Sequence, residues 1–132
     1  MKVAYLIILT LAFCACDNAA FPKAENAFDA GREFIDGCLK GDFNRAAFYM
    51  INDEENNKGL LKIKKDYNAK TVEQKQAYST ASIIVTEDAA INDSIHVISY
   101  MNSYDKIARK VKVILRSGTW QVDFKYTFNG NL

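Results

Sequence analysis

The sequence predicts an α+β fold, with N-terminal helices packed on a curved four-stranded antiparallel sheet. Three observations carry this. Up to about residue 80, apolar side chains recur at three- and four-residue steps, the period of a helix with one buried face. From residue 83 the period falls to two, in runs rich in β-branched and aromatic residues. Helices come first and strands after, with short turns between the strands, which favours a layered α+β meander.

The first helix follows from the stripe Ala24, Ala27, Phe28, Gly31, Phe34, Ile35, Cys38 and Leu39, with Pro22 suited to its first turn. Glu25, Asp29, Glu33 and Asp36 decorate the other face. Gly31 lies within the stripe at a propensity cost of about 1 kcal/mol, so a close neighbour is expected there, such as a sheet passing over it. Gly41-Asp42 is the clearest punctuation in the chain. Gly41 can take the left-handed conformation that ends a helix, and Asp42 can cap the next. A short second helix then places Phe43, Ala46, Ala47 and Met50 on one side. Residues 52–59 read as a polar loop. A third, more polar helical stretch runs from Leu60 to Tyr78, with a break near Asn68-Ala69.

Four strands follow, at Ile83–Val85, Ile95–Tyr100, Ile107–Leu115 and Trp120–Phe128. Val111, Val113 and Leu115 alternate with Lys110, Lys112 and Ile114, and Trp120, Val122, Phe124, Tyr126 and Phe128 alternate with more polar residues. Such alternation means one buried and one wet face, as in antiparallel pairing. Turns are expected over Glu87–Asp93, near Ser103–Asp105 and at Ser117-Gly118.

Ahead of all this stands an apolar run from Val3 to Phe13, preceded by Lys2. It is too short to cross about 30 Å of hydrocarbon as a helix and has the length of a secretory h-region. It ends at Ala15-Cys16, which resembles the lipobox of bacterial lipoproteins. Phe13 makes Cys14 a poor processing site, because a small residue is needed before the cut. The expected division is a lipoprotein signal peptide at 1–15, a lipidated tether at 16–21 with lipid on Cys16, and one α+β domain at 22–132. The expected location is the cell envelope, with the membrane as partner through that lipid. Removing 1–15 leaves 117 residues and, with Lys2 gone, 16 basic against 16 acidic side chains. That balance gives no electrostatic argument for nucleic acid. Cys38 then has no partner for an intramolecular disulfide and reads as a buried small hydrophobe.

Three stretches together resemble the nuclear transport factor 2-like superfamily, also called cystatin-like α+β. They are Phe34-Ile35-Asp36-Gly37-Cys38-Leu39-Lys40-Gly41-Asp42-Phe43-Asn44-Arg45-Ala46, Tyr78 leading into a strand, and Gly118-Thr119-Trp120-Gln121-Val122. With the lipobox in front, the chain is most similar to small lipoproteins of Gram-negative bacteria that carry one such domain. The resemblance covers about residues 24–128. It implies a strongly curved sheet wrapped around a long helix, with a cone-shaped cavity between them. It also leaves room for a homodimer. Superfamily members include enzymes, binding proteins and dimerisation modules, so the fold does not fix the function.

Candidate chemistry is sparse. His96 is the only imidazole and shares a strand face with Ile98 and Tyr100. A catalytic role would need a carboxylate or tyrosine in hydrogen-bond reach, and no spacing links His96 to the strand-side carboxylates Glu87, Asp93 and Asp123. One His and one available Cys argue against a zinc site, and no cofactor is indicated. Aromatics on core-facing positions are mostly packing, but some can line a pocket. The candidate ligand-binding residues are Tyr78, His96, Tyr100 and Trp120. The basic clusters Lys62, Lys64, Lys65, Lys70 and Arg109, Lys110, Lys112, Arg116 read as solvated faces balanced by Asp66, Glu73 and Asp105. The expected function is non-enzymatic binding of a small apolar ligand or a protein partner. The alternatives are a lyase or isomerase acting in the cone, and an inhibitor or immunity-type protein acting through the sheet. A polar pocket converging on His96 would favour the enzyme. A filled cavity would favour the interaction module.

Overall fold

The computed structural model describes residues 21–128. The signal segment, Cys16 and nearly all of the tether lie outside the described residues. The elements are α1 (Ala27–Lys40), α2 (Phe43–Phe48), α3 (Glu54–Asn68), α4 (Val72–Thr80), β1 (Ile83–Asn92), β2 (Ile95–Asn102), β3 (Arg109–Arg116), β4 (Thr119–Asp123) and α5 (Lys125–Phe128). The strands form one antiparallel sheet in the order β1-β2-β3-β4, with every strand beside its neighbour in sequence. This is the α+β arrangement the two periodicities predict.

The helix starts are set by side-chain caps. α1 begins at Ala27, not at Pro22, because Asn26 accepts from the Asp29 N–H at 2.8 Å. Its end and the next start are as the Gly41-Asp42 pair predicts. Gly41 takes φ 73°, and the Asp42 side chain accepts from the Arg45 N–H at 3.1 Å. Residues 52–59 are not a loop. Asp53 accepts from the Asn56 N–H at 2.8 Å, and Glu54 and Glu55 favour the positive helix start, so α3 begins at Glu54. The break expected at Asn68-Ala69 is real, and a capping box of Thr71 and Gln74 starts α4.

Strand ends differ from the periodic reading. β1 runs to Asn92, so the turn shrinks to Asp93-Ser94, while β3 begins only at Arg109. β4 stops at Asp123, the last residue paired with β3, and residues 125–128 turn into α5. Asp123 does not face water. It is buried, taking a 3.2 Å hydrogen bond from Asn56 Nδ2 and a 3.0 Å ion pair from Lys125. Asn56, wholly buried, also accepts from the Lys125 N–H. This knot ties the start of α3 to the end of β4.

The core lies between α1 and one face of the sheet. Ala27, Ala30, Phe34 and Ile35 of α1 meet Ile98, Val111, Val113 and Val122. Burying each large side chain contributes about 1.5–3 kcal/mol. Gly31 sits where a close approach is expected, since a Cβ there would lie 2.7 Å from Ile98 Cδ1. Phe28 and Ala47 are exposed and leave their predicted stripes, and Met50 lies beyond α2. Met50 is instead bridged to Val122, with Ile51 N–H donating to Val122 O and Val122 N–H to Tyr49 O, so the segment after α2 covers the edge of β4. Arg45 of α2 clasps Glu33 and Asp36 of α1.

Candidate functional site

A cavity of about 380 Å³ lies against the C-terminal half of α1. Phe34, Ile35, Cys38 and Leu39 of α1 form one wall. Tyr100 and Asn102 of β2, Arg109 of β3 and Phe124 form the opposite one. Ile63, Asp66, Tyr67, Lys70 and Tyr78 close the side. The floor is apolar and aromatic. Phe34 and Phe124 are buried, with ring centroids 4.9 Å apart. The charged groups Asp66 and Lys70 stand nearer the surface.

Tyr100 is only 8 % exposed and lines this cavity. Its hydroxyl makes no hydrogen bond to any described residue, yet no fully buried side-chain oxygen or nitrogen lacks a partner. The hydroxyl therefore opens on the cavity. Burial pushes the Tyr100 phenol upward and the Cys38 thiol up to about 12, so both walls present neutral groups.

The mouth is built by the loop between β2 and β3. Asn102 Oδ1 accepts from the N–H groups of Tyr104 and Asp105, at 3.0 and 2.9 Å. Asp105 in turn accepts a guanidinium fork from Arg109, at 3.0 and 2.7 Å, and the Ile107 N–H at 3.0 Å. Burial alone would raise the Asp105 carboxyl. Arg109 and the Ile107 amide outweigh it and hold the group well below the usual carboxylate range. Tyr78 of α4 reaches across to the same carboxylate, donating at 3.2 Å, and its ring meets Tyr104 edge-on at 4.9 Å. Burial first, and the Asp105 charge second, raise the Tyr78 phenol. Lys70 lies 4.9 Å from the same ring.

Of the four residues singled out in the sequence, Tyr78 and Tyr100 thus share the cavity, and His96 and Trp120 do not line it. Those two meet at the other end of the sheet, edge to face at 5.5 Å. Trp120 is half-buried, and it is Phe124 that packs against Phe34. His96 does have a carboxylate partner. Asp88 Oδ1 lies 2.8 Å from its Nδ1, brought there because β1 extends far past Val85. The sequence reading missed Asp88 with that extension. It also placed Arg109 on a solvated face. The Asn102, Asp105, Arg109 spacing was the available signal, since an Asn followed by an Asp three residues on suits a side-chain-stapled turn.

Among the described residues, no three His, Cys, Asp or Glu side chains converge on a metal position, and no helix is long and apolar enough to cross a membrane. No protein-family model, curated protein or solved structure matches this chain.

Proposed function

We propose that this chain is a lipid-anchored envelope protein whose α+β domain, of the nuclear transport factor 2-like type, binds a small apolar ligand in the cavity beneath α1. The cavity carries this reading. Its 380 Å³ falls at the small end of the range for ligand sites, and its apolar lining with a few polar groups has their usual character. A space between a long helix and an antiparallel sheet is also what the family resemblance implies. The Ala15-Cys16 junction supports the anchor. Binding is favoured over turnover because the His96–Asp88 pair is not among the lining residues. It is favoured over a purely protein-facing role because the cavity is open.

A neutral fluorescent probe, N-phenyl-1-naphthylamine, tests the reading. It is expected to brighten on binding the folded domain. Leu39→Trp, which places a larger ring in the cavity wall, should abolish the signal while the fold persists by circular dichroism. Equal probe binding by both proteins would refute the cavity as the site. Mass spectrometry of the protein from its native envelope should show acyl chains on Cys16, and a free Cys16 thiol would refute the anchor.

A further inference from the structure

We propose that the cavity takes an uncharged molecule, apolar over most of its surface, with a single hydrogen-bonding oxygen that pairs with the Tyr100 hydroxyl. This rests on the ligand-binding reading above and narrows it to a chemical class. Two observations bear on it independently. The first is the Tyr100 side chain, in a residue more than nine-tenths buried that lines the cavity, whose hydroxyl has no hydrogen-bond partner among the described residues. A polar group so placed keeps its hydrogen bond when a ligand oxygen replaces water, and loses it when a pure hydrocarbon does.

The second observation is the charge balance of the walls. An ionised ligand group at the floor would need a free countercharge, because desolvating a lone charge is costly. Arg109 is the only cation on the sheet side of the lining, and both terminal nitrogens of its guanidinium already donate to Asp105. Cys38 and Tyr100 are neutral at physiological pH, since burial raises both. The remaining charges, Asp66 and Lys70, are of opposite sign and stand at the rim. The lining thus presents hydrocarbon, a neutral thiol, one hydroxyl not already paired with the protein and no net charge. Phe34 and Phe124 supply aromatic rings to the lining, which suit an apolar body.

Three probes of one shape test the class by calorimetry at pH 7: 1-naphthol, naphthalene and 1-naphthoate. The first has the oxygen, the second lacks it, and the third carries a charge. Wild-type protein should bind 1-naphthol best, with 1-naphthoate weaker by tenfold or more. Tyr100→Phe should weaken 1-naphthol about fivefold, the size of one net hydrogen bond, and bind naphthalene at least as tightly as wild type does. The wild-type ranking needs no variant, so a folding defect in Tyr100→Phe cannot mask the result. The proposal is overturned if 1-naphthoate binds as tightly as 1-naphthol, or if a folded Tyr100→Phe binds 1-naphthol unchanged. In either case, N-phenyl-1-naphthylamine binding that Leu39→Trp abolishes would leave the broader reading standing. Failure of that probe as well would remove both.

Discussion

The two halves of α1 solve opposite problems against the same sheet. Around Gly31 the helix presses on β2 and β3, and Ile98, Val111 and Val113 below it are almost wholly buried. Phe34 and Ile35 are still packed in the core, but with Cys38 and Leu39 they also border the open cavity. The backbone is equally regular in both halves. What differs is side-chain size, none at position 31 against large rings at Phe34 and Phe124. Close packing and open volume thus lie along a single element.

Phe34 stands where the two regimes meet, so its removal should have the largest effect. Phe34→Ala should cost about 3–5 kcal/mol by denaturant titration, because it deletes a core ring and merges the vacated space with the cavity. A loss below about 1 kcal/mol would mean the two ends are not coupled through this ring. Gly31→Val probes the closed end alone. Overpacking against Ile98 and Val113 should destabilise by about 1–3 kcal/mol, and the helix should lift enough to change probe binding at the far end. Destabilisation with untouched probe affinity would show that the ends act independently.

The smallest effect belongs to the mouth. Asp105 titrates lower in the fold than in the unfolded chain, where a carboxyl has a pKa of about 3.9. Its contribution is therefore fully present above that pH and is lost as the pH falls through the folded-state value. Wild type should exceed Asp105→Asn by about 1–2 kcal/mol at pH 7, with the gap closing progressively below about pH 4. A gap that is constant with pH would assign Asp105 a packing role without charge.

What the sequence makes legible, and what it hides, follows the same division. Helix order, the Gly41-Asp42 junction and the meander are local matters, written in caps and periods of a few residues. Asp53 and its two glutamates are a cap signal too, but a run of polar residues also reads as a loop. The end of β4 is hidden for another reason. Alternation continues through Phe128, whereas the strand ends at Asp123, which Asn56, 67 residues earlier, captures, before the chain turns into α5. The cavity is the least legible part. Phe34, Tyr100 and Phe124 have the patterning of ordinary core residues, and only the tertiary arrangement of α1, α3, α4 and the sheet makes them a lining. His96 and Trp120 show the converse. They are the rarest side chains in the sequence, and their rarity drew attention to an end of the sheet that the cavity does not reach.

The bridge between Met50 and Val122 has a consequence for biosynthesis. Strand-to-strand contacts in this sheet join neighbours in sequence and can form early, but the edge segment after α2 must wait about 70 residues for its partner. During vectorial synthesis the helices emerge first, with their apolar stripes exposed and nothing to settle on. The core closes only when β4 arrives, late in elongation. Until then the nascent polypeptide remains an unlocked thread, open to chaperones and easy to draw through a narrow passage.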